Sequence, residues 1–207
     1  MRRSLFLAAA LLAGACTPPA APTNDGAGAN VFVAETPAPA PVTDPLAGIP
    51  NVEVQYYDVA GNSVAEIRAA LDRVRPRDPN DGLSVDALSS WFIEWRWPDA
   101  PDGGCDLSRA ELRFTARIRM PRLIETAATP PAVSARWRAY ATALMIHEAG
   151  HIRPAWEGRA RVLAALRASS CANATRDGRA AIAALARQGR AYDRDTRHGF
   201  TQGAHFP

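Results

Sequence analysis

The feature that most constrains the fold of this chain is the pentapeptide His147-Glu148-Ala149-Gly150-His151. Residues four apart lie on the same face of an α-helix, because each residue turns the helix by about 100°. The two histidines can therefore bind one metal ion if this segment is helical. Glu148 would then flank the ion as a base and not as a ligand. The motif predicts a zinc site, with His147 and His151 as ligands and Glu148 as the catalytic acid–base group.

The residues around this motif predict a helix. The preceding segment 133–146 is rich in alanine and contains neither glycine nor proline, and Thr129, followed by two prolines, is a suitable start. Pro154 is predicted to end or kink the helix because it has no backbone N–H. Further helices are predicted at 156–168 and 175–187. The alternative to a metal site is a buried helix whose histidines bond to carbonyls of the core.

Upstream of the motif, the sequence predicts strands and one capped helix. Apolar and polar residues alternate at 52–56, and the aromatic-rich segment 91–97 is also typical of a strand. Between them, Ser63 and Glu66 have the spacing of a capping box, which predicts a helix at 64–74.

The clearest strand pattern lies at 111–120. Apolar side chains occupy alternate positions and charged or polar side chains occupy the others. In zincin-type peptidases an extended substrate pairs with an edge strand above the active-site helix, and the strand at 111–120 is a candidate for that role. The alternative is a half-buried strand with no part in binding.

A catalytic zinc ion needs a third protein ligand, which the motif does not supply. Glu157 lies six residues after the second histidine, as in metzincins, but six helical residues turn by about 600° and would point it away from the site. His198 is favoured because it lies beside Gly199, in a segment, 192–205, that is predicted to be an irregular loop. His205 is the remaining alternative.

The N-terminus predicts an exported protein. Residues 1–15 contain two arginines, a short apolar run and a small-residue cleavage site, which are the parts of a signal peptide. The same segment resembles a bacterial lipobox, in which Cys16 would carry a lipid anchor, and ordinary secretion is the alternative. Residues 16–49 are rich in proline and alanine and are predicted to be a tether. The remaining chain, 50–207, has the length of one domain.

The charge of the chain argues against a nucleic-acid partner. The sequence has 24 lysines plus arginines and 21 aspartates plus glutamates, a formal net charge of +3. Two of these arginines belong to the predicted signal peptide. The cationic residues form no cluster with interleaved aromatic residues, so no nucleic-acid surface is predicted.

The cysteines support export. If Cys16 is lipidated, Cys105 and Cys171 remain as a pair. Two cysteines in an exported protein favour a disulfide, and neither lies in the short-spaced motif of a metal site.

Several segments together resemble a known family. They are a Tyr-Tyr-Asp-Val-Ala-Gly sequence from residue 56, the tryptophan-rich strand, Cys105, the pentapeptide, Thr196-Arg197-His198-Gly199 and Gln202-Gly203-Ala204. This set is similar to a family of exported bacterial proteins that is catalogued as a domain of unknown function and described as zinc-dependent peptidases of the zincin type. The resemblance covers about 50–207. It implies an α+β zincin-like fold, with a small antiparallel or mixed sheet packed on the motif helix, ligands His147 and His151, and Glu148 as acid–base group.

The expected function is therefore hydrolysis of peptide bonds in the cell envelope by a zinc-activated water, with Glu148 as general base. We expect a periplasmic or outer-membrane lipoprotein, or a secreted protein, with a peptide or protein as substrate. Two alternatives remain open at this stage: a non-catalytic zinc-binding envelope protein, and an amidase that acts on cell-wall peptides.

Overall fold

The computed structural model describes residues 44–207, which form an α+β fold with a small mixed sheet, as predicted. The strands are β1 (Val52–Ala60), β2 (Leu88–Arg96) and β3 (Glu111–Ile124). The helices are α1 (Val64–Val74), α2 (Pro131–Arg167) and α3 (Ala174–Thr196). Within the described residues, no helix is both long and apolar enough to cross a membrane. The predicted signal peptide, Cys16 and most of the predicted tether lie outside the described residues.

The first packed residues precede position 50. Ile49 is buried in the core, and the Arg153 guanidinium donates to the carbonyls of Pro45 and Ala47 at 2.7 and 3.1 Å. The segment that follows Asp44 is therefore fixed to α2.

Helix α1 begins where its capping box predicts. The Ser63 hydroxyl accepts the backbone N–H of Glu66 at 3.2 Å, and the Glu66 carboxylate accepts the N–H of Asn62 at 2.8 Å. The first bond satisfies a donor that the first helical turn would otherwise leave free, and the second joins Glu66 to the residue before the cap. The predicted bounds of this helix are confirmed.

Strand β3 is the centre of the sheet, whose order is β1-β3-β2. It pairs in parallel with β1 and antiparallel with β2. The predicted alternation is confirmed, because Phe114, Ala116, Ile118 and Met120 are all buried on the face that the helices cover. The predicted edge role of 111–120 is wrong, because both edges of β3 already have a strand partner. Among the described strands, β2 pairs with β3 alone and leaves its other edge free.

Helix α2 does not end at Pro154, which was one of the two outcomes predicted there. It continues through this residue to Arg167 and includes the predicted helix at 156–168 up to that point. A proline inside a helix costs about 3 kcal/mol or more, because one backbone hydrogen bond is lost. Ile152, Ala155 and Val162 are buried around or beyond the proline. The burial of these side chains stabilises the helix on both sides of Pro154 and offsets the lost hydrogen bond.

Helix α3 also runs further than predicted. It continues past residue 187 to Thr196, so the first part of the predicted loop at 192–205 is helical. The helix ends in a reversal: Arg197 and His198 both have left-handed backbone angles, with φ of 51° and 52°. The Thr196 hydroxyl accepts the N–H of Gly199 at 3.2 Å within this reversal.

The predicted disulfide is confirmed between Cys105 and Cys171, whose Cα atoms are 5.7 Å apart. It joins the loop before β3 to the connection between α2 and α3. The start of α3 is thereby tied to the sheet.

Candidate metal centre

The two histidines of the pentapeptide meet on one face of α2. Their ring centroids are 4.9 Å apart, and both side chains are mostly shielded from solvent. Glu148, between them in sequence, is only 4% exposed. Glu148 and Ser89 of β2 line the same cleft. The helix therefore places two nitrogen ligands and one carboxyl group at the same place, as its periodicity predicts.

The third member of the cluster is Asp193, from α3. Its Oδ1 atom lies 3.0 Å from Nε2 of His151 and 3.5 Å from Nε2 of His147. The ligand atoms of these three side chains all lie within 4.8 Å of one another, so together they could hold a metal ion. No other group of three such side chains with this spacing occurs in the described part of the chain.

Two neighbours orient the His147 ring. Its Nδ1 atom lies 2.9 Å from Oε1 of Gln202, and the Tyr192 ring stacks on it with a centroid distance of 5.1 Å. With Nδ1 occupied by an acceptor, Nε2 is the nitrogen left for a metal. A side chain at position 150 would collide with the Tyr192 hydroxyl, so Gly150 lets this ring approach α2.

The side chains of the cluster shift one another's pKa values. Burial alone would raise the pKa of Asp193, but its hydrogen bonds with His147 and His151 hold that pKa well below the usual range. Burial alone would lower the pKa of His147, whereas the bond to Asp193 and the charge of Glu148 raise it. Asp193 is thus an ionised carboxylate at neutral pH, the form that binds metal.

Burial raises the pKa of Glu148, while the two histidines and Ser89 act in the opposite direction. A carboxyl group with a raised pKa is a better proton acceptor than an exposed one. The buried position of Glu148 therefore suits a general base.

The predicted alternatives for the third ligand lie in different places. His198 is outside the cluster of three, but its Nδ1 is 3.7 Å from Oδ1 of Asp193, and its side chain is 42% exposed. His205 is exposed and packs against Phe200, with ring centroids 5.2 Å apart. Glu157 is exposed on α2 and does not line the cleft described next.

The cluster lies in an open cleft of about 860 Å³. The lining residues come from α2 (Leu144, His147, Glu148 and His151), from β2 (88–92) and from α3 (between Ile182 and Asp193). The chain has four histidines, and all of them line this cleft.

Sequence reasoning missed Asp193 because it ended the helix too early. The sequence does contain a helical repeat of small and apolar residues: Ala174, Gly178, Ile182 and Leu185. Buried or half-buried residues recur every three or four positions along α3, at 174, 178, 182, 185, 189, 193 and 196. Extending this stripe past residue 187 would have placed Asp193 on the buried face.

The comparisons with known proteins identify a family but no activity. A family model described as bacterial protein of unknown function (DUF922) matches residues 54–199, which include every member of the cluster. No curated protein and no solved structure matches the chain. Because the matched segment covers more than half of the sequence, the chain belongs to the DUF922 family.

Proposed function

We propose that this protein is a zincin-like, zinc-dependent peptidase of the cell envelope, with His147, His151 and Asp193 as metal ligands. The observation that carries the proposal is the meeting of these three side chains beside the buried Glu148 in an open cleft. Two imidazoles and one carboxylate form a donor set of catalytic zinc, which keeps a further position open for water. His198, beside Asp193, is the rival third ligand.

The chemistry then divides between the metal and Glu148. A zinc ion held by His147, His151 and Asp193 would lower the pKa of a bound water and polarise the carbonyl of the substrate. Glu148 takes the proton from the attacking water and passes it to the amine that leaves. Glu148 is buried and lines the cleft beside both histidines, which is the position that this role needs.

The substrate in this proposal is an extended peptide that lies along β2. β2 pairs only with β3 among the described strands, and its residues 88–92 line the cleft. An extended chain can add to such an edge through backbone hydrogen bonds. Leu83, Phe92 and Phe200 also line the cleft and are 54%, 60% and 55% exposed. Apolar side chains of the substrate would cover them.

The place of action follows from the predicted signal peptide. Export, with or without a lipid on Cys16, would bring the domain to envelope proteins or to cell-wall peptides. A disulfide between Cys105 and Cys171 is compatible with an oxidising compartment.

The test compares the purified wild type with Glu148→Gln. Both proteins are assayed for zinc content and for cleavage of a peptide library and of cell-wall peptides. We expect zinc in both proteins and cleavage of the library by the wild type alone. Cleavage of cell-wall peptides only would indicate the amidase. Tight zinc binding without hydrolysis of either substrate would indicate a non-catalytic metal-binding protein.

A further inference from the structure

The chain after α3 folds back over the cluster and lies directly on one ligand. We call residues 197–206 the C-terminal arm. At Gly199, where φ is 79°, an added Cβ atom would lie 2.9 Å from Cγ of His147 and 2.8 Å from Cβ of Ala204. The backbone of the arm therefore approaches the His147 ring as closely as a residue without a side chain allows.

The far end of the arm is fixed in the core. Phe206 is completely buried, and its ring centroid lies 5.5 Å from that of Trp137 and 5.2 Å from that of Tyr140. Within the arm, the N–H of Ala204 donates to the carbonyl of Gly199 at 3.0 Å. The arm is thus held at both ends, by α3 and by Phe206, with Gln202 between them.

Gln202 joins the arm to the cluster through its side-chain amide. Oε1 lies 2.9 Å from Nδ1 of His147, and Nε2 donates to the Tyr192 hydroxyl at 2.9 Å. An amide oxygen can only accept a hydrogen bond, so Nδ1 of His147 carries a proton, and Nε2 is the nitrogen whose lone pair a metal ion would bind. Nε2 is the nitrogen that faces Asp193.

We infer that Gln202 is a positioning residue that fixes the His147 tautomer and ring orientation needed for metal binding, with the C-terminal arm as its support. The inference rests on the metal site of the proposed function. Ligand histidines need such a partner on their second nitrogen, and its loss weakens metal affinity or activity by about 10–100-fold. Gln202 is exposed to solvent and packs in no core, so its replacement leaves the fold intact.

The test uses the whole protein and three variants. Gln202→Ala removes the acceptor, and Gln202→Glu keeps one. Gln188→Ala is the matched control, because Gln188 is an exposed glutamine of α3 that bonds Arg161 and does not line the cleft. Zinc affinity is measured by competition with a chromophoric chelator. We expect about 10–100-fold weaker binding in Gln202→Ala, wild-type affinity in Gln188→Ala, and recovery in Gln202→Glu.

A second measurement separates positioning from a general structural effect. In the zinc-loaded protein, the proton on Nδ1 of His147 should resonate downfield and exchange slowly in the wild type and in Gln202→Glu. In Gln202→Ala it should shift upfield or exchange away. Unchanged affinity and an unchanged proton resonance in Gln202→Ala would overturn the inference. Tight, Gln202-dependent zinc binding without any hydrolysis would instead refute the peptidase and leave the inference standing.

Discussion

The α2 side and the α3 side of the cluster are held in place differently. On the α2 side, His147 and Glu148 are buried in the middle of a continuous helix of 37 residues. On the α3 side, Asp193 lies one turn before the end of its helix, and His198 and Gln202 lie beyond it in exposed positions. Core packing fixes the first side. Hydrogen bonds and left-handed backbone angles fix the second.

Because of this difference, the two sides should respond differently to mutation. A buried helix can present ligands in a fixed geometry, because its side chains have few alternative rotamers. On the α3 side the backbone is also held, but the side chains of His198 and Gln202 are exposed and therefore have more alternative rotamers. We therefore expect mutations on the α2 side to abolish metal binding or hydrolysis, and mutations on the α3 side to weaken them only in part.

The largest effect should come from the double variant His147→Ala/His151→Ala. Both helix nitrogens are lost, and a carboxylate alone does not retain zinc. Metal analysis of the purified protein should find about one zinc per wild-type chain, the number that a three-ligand site holds, and none in the variant. A variant that kept its zinc would place the metal elsewhere.

Glu148→Gln should leave zinc in place and lower peptide hydrolysis by about 10²–10⁴-fold, because glutamine cannot accept the proton of water. The matched control is Glu157→Gln, the same change at an exposed position of α2. Turnover numbers on one fluorogenic peptide give the comparison. Equal losses of turnover in both variants would show that Glu148 is not the general base.

On the α3 side, Asp193→Ala should weaken zinc binding more than His198→Ala does. The His198 ring lies 3.7 Å from the Asp193 carboxylate, so His198→Ala should cost about 10–100-fold, as for a residue that orients a ligand. Glu157→Ala should change little. Zinc affinities from chelator competition show which of the three variants binds zinc most weakly. The reverse order would make His198 the third ligand and Asp193 its support.

Removing the disulfide with Cys105→Ser/Cys171→Ser should lower the free energy of unfolding by about 2–4 kcal/mol, because the unfolded chain gains entropy. Zinc affinity should stay the same, since the disulfide fixes the start of α3 and Asp193 lies near its other end. Urea denaturation and chelator competition on the same samples test both statements. A large loss of affinity would show that the disulfide also positions Asp193.

The smallest effect concerns pH in the metal-free protein. The pKa of His147 is raised in the folded protein. Its contribution to the free energy of unfolding is therefore present below about pH 6.5 and is lost as pH rises through the folded pKa. The pKa of Asp193 is lowered, so its contribution is present above about pH 3.9 and is lost as pH falls. Melting temperatures should therefore be highest between these limits. In Asp193→Asn the maximum of melting temperature against pH should flatten. An unchanged pH profile would show that the His147–Asp193 pair does not cause it.

The parts that the sequence predicted well depend on short-range rules. Ser63 and Glu66 fix the start of α1 within one turn, and the pentapeptide needs only the pitch of one helix. Alternation along β3 predicts which side chains are buried, because the strand repeat is two residues.

The parts that it missed depend on tertiary packing. No local rule reveals that β3 is central, because strand order is set by contacts between distant segments. Pro154 lowers helix propensity locally, but core contacts on α2 outweigh that cost. Asp193 reaches the cluster only because α3 packs on α2.

The contact between Gly150 and Tyr192 restricts which residues can occur together at these two positions in related proteins. The smallest mutation of this glycine, to alanine, would push against the Tyr192 hydroxyl. Such a change would require the Tyr192 ring to move away from α2 or to be replaced by a smaller side chain. The two positions should therefore be inherited as a pair. A lineage that has changed either residue should carry a compensating change at the other.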